Sequence, residues 1–157
     1  MSLSWVEADA SHLDELSRFC CTYNGEQYQL DIELFFQELE FPPDPPGLKV
    51  LLGFDEIGLA TACAWEYVEI DTEPPMHYIW ALGRDNRVHG TTHAFHTLEE
   101  VLHRCMTFNR QVGHEWGALV VVDSANYASI ELLRRSGFHP AWRESTGEEA
   151  WAIPLGY

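Results

Sequence analysis

Arg87-Val88-His89-Gly90-Thr91-Thr92 is the stretch on which the reading of this chain turns. Before it, Met76 to Leu82 is strand-like, and Gly83 to Gly90 reads as a polar, glycine-bounded loop. After it, Ala94, Leu98, Val101, Leu102, Cys105 and Phe108 keep helical spacing and predict a long helix over 91–110. A strand, a short loop and a long helix in that order bring unpaired backbone N–H groups and the positive end of a helix dipole to one point. Gly90 lets the main chain come close to an anion there, so the junction is a candidate phosphate site.

Downstream, the β-branched run Gly117 to Val122 predicts a central strand, and Ser124 a cap for a last helix running to Arg135 and stopped by Gly137. Phe138 to Arg143 and Ala150 to Pro154 read as closing strands. Upstream, residues 3–8 read as a first strand. Ser11 then caps a helix carrying Leu13, Leu16 and Phe19 and ending near Asn24-Gly25. Leu30, Leu34, Phe35 and Leu39 mark a second helix, which the proline run from Pro42 to Gly47 terminates. Lys49 to Phe54 and Leu59 to Glu69 form a hairpin about Asp55-Glu56 and Gly58. The order β-α-α-β-β-β-α-β-α-β-β is that of an α/β protein with a mixed α+β sheet, organised as a single domain over 1–157.

Composition agrees with that architecture. A chain of 157 residues, 46% hydrophobic and 22% charged, is a one-domain globule rather than a disordered segment, and 13% aromatic residues suffice for a core and a ring-lined pocket. No apolar run approaches the roughly 18 residues of a membrane span, and no secretory pattern opens the chain, so a cytoplasmic protein is expected. Cys20, Cys21, Cys63 and Cys105 lack zinc-ligand spacing and read as reduced thiols. The net charge of −16 is unevenly spread. Residues 1–83 carry two basic against sixteen acidic side chains, a net −14, whereas 84–157 carry seven against nine, a net −2. Binding of nucleic acid or an anionic membrane is not expected of such a surface, and a cationic partner suits the first half.

A second motif joins the first. Asn126-Tyr127-Ala128-Ser129-Ile130-Glu131-Leu132-Leu133-Arg134-Arg135-Ser136-Gly137-Phe138 follows the Val120 to Val122 strand. With Arg87 to Thr92 upstream, the chain resembles the GNAT superfamily of N-acetyltransferases over essentially its whole length. That family pairs an R/Q-x-x-G-x-G/A loop with a later strand, an Asn-initiated helix and a terminal Gly-Phe. In two places the chain departs from the pattern: Thr92 stands where the loop ends in Gly or Ala, and Leu133 where many members have a Tyr that protonates the departing thiolate.

The resemblance implies acetyl-CoA as acyl donor, its pyrophosphate held by the backbone of Arg87, Val88, His89, Gly90, Thr91 and Thr92. It further implies a pantetheine arm along Ala81, Leu82 and Leu133 with Asn126 hydrogen-bonded to it, and direct transfer to a primary amine. Candidate proton carriers on the two nearest strands are Glu66, Glu69, His77 and Tyr78, and Ser129, one helical turn before Leu133, is a candidate donor to the thiolate. The −14 half lies where the family admits its acceptor, which predicts a cationic small molecule or basic peptide. The missing Tyr leaves open a binding module without transfer, and a homodimer is a family habit. His89, His93, His96 and His103 with Glu99 and Glu100 suggest a metal, but one helix lacks the second ligand set that a dinuclear centre needs, and no metal is expected.

Overall fold

A computed structural model describes residues 2–70 and 74–156. Seven strands form one sheet in the order β1-β2-β3-β4-β5-β7-β6: β1 (Ser4–Glu7), β2 (Lys49–Phe54), β3 (Leu59–Val68), β4 (Met76–Arg84), β5 (Ala118–Asp123), β6 (His139–Arg143) and β7 (Glu148–Ile153). Four α-helices accompany them: α1 (Leu13–Ser17), α2 (Gln27–Gln37), α3 (His93–Val112) and α4 (Tyr127–Arg135). Among the described residues, β4 and β5 run parallel and every other strand pair is antiparallel.

Strand alternation divides the core between the two faces of the sheet. Leu51, Cys63, Trp65, Ile79 and Val120 pack on one face against Leu98, Val101 and Leu102 of α3 and Ile130 and Leu133 of α4. Val50, Leu52, Ala62, Ala64 and Ala81 pack on the other against Leu16 and Phe19 of the α1 region and Phe36 of α2. Gly83 belongs to this second face and leaves little room for a side chain: a Cβ there would stand 3.0 Å from the Phe19 ring and 3.2 Å from Ile32.

Several boundaries differ from those the sequence predicts. The first helix does not continue to Asn24. A 3-10 turn, Ala10–His12, is capped by Asp9 rather than Ser11, and α1 ends at Ser17. Residues 19–24 instead give their backbone to α2 side chains. Glu33 Oε1 accepts from Cys21 and Thr22 N–H, Gln29 Oε1 from Tyr23 and Asn24 N–H, and Gln37 Nε2 donates to the Phe19 carbonyl. These partners lie too far along the chain for periodicity to reveal. Beyond the expected strand, β4 continues through Gly83 to Arg84, and the loop behind it contains a second 3-10 turn, Asn86–Val88, capped by Asp85. Asn126, not Ser124, caps α4, its Oδ1 accepting the Ser129 N–H.

Candidate functional site

A wedge opens in the middle of the sheet. The β4–β5 ladder pairs only His77 with Ala118, Tyr78 with Leu119 and Ile79 with Val120, after which β4 runs on for five residues without a partner on that side. The separation begins at a bulge. Across β3, Trp65 opposes Ile79 and Ala64 opposes Ala81, which leaves Trp80 as the extra residue, and bulges bend a strand away from its neighbour. The Asp85 N–H donates to the Ala60 carbonyl on β3, so counting back by alternation turns the N–H groups of Leu82 and Arg84 into the wedge. Leu82 is half-buried beside the α3 and α4 core, and Ala81 is buried on the opposite face.

The wedge leads toward the junction that precedes α3. Most of its amides are spent internally: Arg87 N–H donates to Asp85 Oδ1, Val88 N–H to the Asp85 carbonyl, His89 N–H to Asn86 and Thr91 N–H to Val88. Among the described residues, the N–H groups of Gly90, Thr92, Ala94 and Phe95 donate to no acceptor. Gly90 has φ +83°, and a Cβ built on it would meet nothing within 4 Å. Thr92 is exposed and its hydroxyl makes no capping bond. Four unpaired donors at the positive end of a 20-residue helix make a candidate anion cradle. Of the stretch 87–92, Gly90 and Thr92 therefore keep free amides, and Arg87, Val88, His89 and Thr91 hold the turn beside them through their own hydrogen bonds.

Arg87 supplies most of that frame. Its guanidinium grips Asp55 Oδ2 at 2.6 Å and Oδ1 at 2.8 Å and donates to the Gly58 and Leu59 carbonyls, which ties the junction to the β2–β3 turn. The same contact holds the Asp55 carboxyl well below the usual carboxylate range. Arg104 and Arg134 are likewise paired with Glu100 and Glu131, so of the basic residues flanking α3 and α4 only Arg84, Arg110 and Arg135 lack a carboxylate partner among the described residues. Arg135 stands 5.2 Å over the Phe95 ring, at the first turn of α3.

Asn126 is placed to serve two ends, because its Oδ1 is taken by the α4 cap while its amide NH2 makes no bond among the described residues. Ser129 is half-buried one turn along, and Leu133 is 4% exposed, packed into the α3 and α4 core.

Of the candidate proton carriers, the structure brings Glu66 and Tyr78 together and sets His77 apart. Glu66 and Tyr78 are cross-strand partners on the α1 and α2 face of the sheet. Glu66 Oε1 accepts the Trp80 indole N–H at 2.9 Å, and the Trp80 ring meets Tyr78 at 4.6 Å in a T-shaped contact. Tyr78 is half-buried, and burial together with Glu148 and Glu144 pushes its phenol above the usual range, so it is a neutral hydrogen-bond donor and not a base. Glu69 is exposed beyond the end of β3, while Asp71, Thr72 and Glu73 of the same loop lie outside the described residues. Trp80 carried no sequence signal, since a bulge depends on strand register and not on a motif.

His77 points to the other face. It is 2% exposed, its Nε2–H donates to Asn109 Oδ1 at 2.9 Å, and Asn109 is itself fixed by donating to the Trp116 carbonyl. Burial lowers its pKa, so His77 is a neutral core residue rather than a proton carrier at the wedge. Below about pH 6.5 the unfolded chain binds a proton that the folded site resists, and stability therefore falls as the pH drops through that value. The variant His77→Gln is expected to flatten this part of the profile, and His77→Ala to lose about 2–3 kcal/mol through the cavity and the orphaned Asn109 oxygen. Urea unfolding at pH 7.5 and 5.5 checks both. Among the described residues, no group of three or more His, Cys, Asp or Glu is placed to hold a metal ion.

No family model matches the chain, and no curated protein matches it. Solved structures do match. AtaTR bound with AcCoA aligns at 18% identity with a TM-score of 0.74, over 98% of this chain and 93% of that one. A GNAT superfamily phosphinothricin acetyltransferase from Sinorhizobium meliloti, in complex with AcCoA, aligns at 18% identity and TM-score 0.68 over 99% and 90%. The ribosomal-protein-S18-alanine N-acetyltransferase from Escherichia coli aligns at 12% identity and TM-score 0.69 over 99% and 95%. The chain thus has the GNAT acyl-CoA N-acyltransferase fold, as the resemblance in its two motifs implies.

Proposed function

We propose that the protein is an acetyl-CoA-dependent N-acetyltransferase that acts directly on a primary amine of a cationic molecule. The observation that carries this reading is the continuity of the wedge: unpaired β4 N–H groups lead from the bulge at Trp80 toward the four-donor cradle at α3. Gly90, Thr92, Ala94 and Phe95 would hold the pyrophosphate. The Asn126 amide would take a carbonyl of the pantetheine arm beside Leu82, and the Leu82 N–H would polarise the thioester carbonyl. Bound there, acetyl-CoA supplies an activated acyl group. Two of the solved structures with this fold were determined with AcCoA, which supports the same donor here.

The acceptor would approach from the α1 and α2 face. Glu66 offers a carboxylate oxygen, Oε2, with no hydrogen-bond partner among the described residues. Glu144 and Glu148 bear electrostatically on Tyr78, and Glu26 and Asp123 on Tyr28. An ammonium is favoured in such surroundings and must lose a proton before its lone pair attacks, which makes Glu66 the general base of this reading. Ser129 remains a candidate donor to the thiolate, because Leu133 has no ionisable group and is enclosed in the core.

That enclosure also favours a second reading, a module that binds acyl-CoA without transferring its acyl group. Thermal unfolding with acetyl-CoA, followed by release of free CoA thiol across a panel of amines, separates the two. A transferase shows both a ligand-dependent rise in melting temperature and amine-dependent thiol release; a binding module shows the rise alone; the absence of both overturns both. In the transferase, Glu66→Gln is expected to lower kcat by 10²-fold or more and leave the acetyl-CoA-dependent rise unchanged.

A further inference from the structure

Trp80 is the one residue of β4 that the bulge leaves without a partner on β3, and its side chain departs from the pattern around it. Neighbouring Ile79 and Ala81 are buried, whereas 45% of Trp80 is exposed, a large apolar surface to leave in water on a strand that crosses the middle of the sheet. The indole is nevertheless held. Its only polar atom, Nε1–H, donates to Glu66 Oε1, and the Tyr78 ring abuts it edge-on. What remains presented outward is aromatic carbon next to a carboxylate whose second oxygen is free. An aromatic surface with an adjoining negative charge is the chemistry that recognises an alkylammonium group, through cation–π attraction and charge pairing together.

We infer that Trp80 is a specificity-determining and positioning residue, which receives the protonated alkylamine on its ring and holds the Glu66 carboxylate in place to deprotonate it. The inference rests on the transferase reading above. In the step concerned, an N–H bond of the ammonium breaks and an O–H bond forms at Glu66 Oε2, and the electron pair left on nitrogen becomes the nucleophile. The indole N–H keeps its bond to Oε1 throughout, so the carboxylate cannot rotate away from the amine. Two properties of one side chain are therefore separable. Phenylalanine retains an aromatic surface without the N–H donor, and leucine removes both.

The experiment uses the whole protein with CoA bound, and 1,4-diaminobutane dication and neutral 1,4-butanediol as probes at constant ionic strength. The Trp80 indole N–H is followed by NMR, assigned by its disappearance in Trp80→Phe. A saturable shift with the diamine and none with the diol is expected; no shift with the diamine, or equal shifts with both, overturns the inference whether or not transfer occurs. In turnover with 1,4-diaminobutane, Trp80→Leu is expected to raise the acceptor KM about fivefold or more. Trp80→Phe is expected to lower kcat with a smaller change in KM. Both variants should keep the acetyl-CoA-dependent rise in melting temperature, which reports an intact fold. Acceptor KM and kcat within twofold of wild type in both overturn the inference while leaving the transferase reading in place. A selective shift without amine-dependent thiol release sustains the binding role and removes the transferase.

Discussion

Arg87→Ala is expected to lower folding stability by about 2 kcal/mol and to weaken acetyl-CoA binding, although the side chain does not face the cradle. The Asp55 carboxylate is 3% exposed and receives both arms of the guanidinium. Removing the arginine takes away both arms and the cover they give, leaving the carboxylate to the Ile57 and Gly58 N–H groups and to water. The Gly58 and Leu59 carbonyls lose their donor at the same time. Lysine does not substitute fully, because a single ammonium cannot reproduce the two-armed fork. The double variant Asp55→Asn, Arg87→Met should recover part of the loss by removing the stranded charge. A pH dependence follows as well. The pair holds the Asp55 carboxyl below its unfolded value of about 3.9, so its contribution is complete above that pH and is lost as acid drives the folded carboxyl toward protonation. Urea unfolding of the ligand-free protein decides the matter. If Arg87 served the phosphates and not the frame, Arg87→Ala would bind acetyl-CoA poorly while unfolding at the wild-type denaturant concentration.

Much of the fold is written in local pattern. The periodicity of Ala94, Leu98, Val101 and Cys105, the β-branched run at Val120 to Val122 and the stop at Gly137 each depend on residues a few positions apart, so the chain order of strands and helices is legible without coordinates. Where long-range partners decide, the reading fails. The segment after Ser17 has the composition of a helix end, yet its backbone is claimed by Glu33, Gln29 and Gln37 on α2, which no window of local sequence contains. The wedge is illegible for a similar reason. It arises from a one-residue mismatch between β3 and β4, and nothing in Ile79-Trp80-Ala81 alone announces it.

The site shows the same division. Motif spacing identifies the junction at Gly90 but not which amides are free, since that depends on whether Asp85, Asn86 and Val88 have already accepted them. Candidate proton carriers are named by residue type, and strand parity then sorts them. Glu66 and Tyr78 turn to one face and His77 to the other, because β4 begins its alternation with the His77 N–H donating to Gly117 across the short β5 ladder. Charge asymmetry was legible only in part. Of the carboxylates that bear on Tyr28 and Tyr78, only Glu26 comes from the acidic half, whereas Glu144, Glu148 and Asp123 come from the half that sums to nearly neutral.

Gly90→Val should abolish most acetyl-CoA binding, at least a tenfold loss, while the ligand-free protein remains folded. Two effects add. A β-branched residue at φ +83° is forced into the left-handed region at about 1–2 kcal/mol, which either lowers stability or makes the loop relax and turn the Gly90 and Thr92 amides away from one another. The new side chain also projects into the open space beside the four N–H donors, since no atom beyond its own residue and its chain neighbours lies within 4 Å of its Cβ. Strain and obstruction are separable. Gly113, with φ +78° and no atom within 4 Å of a built Cβ, sits at the opposite end of α3, so Gly113→Val should lose similar stability and no affinity. Gly90→Asn tolerates the backbone conformation better and still obstructs, so it should approach wild-type stability yet bind acetyl-CoA as weakly as the valine variant. Thermal unfolding of the three variants without ligand, then with graded acetyl-CoA, yields both quantities from one sample. Equal affinity loss at Gly113 and Gly90 would assign the effect to strain along α3; retained affinity in Gly90→Asn would mean that the free amides are not where the anion sits.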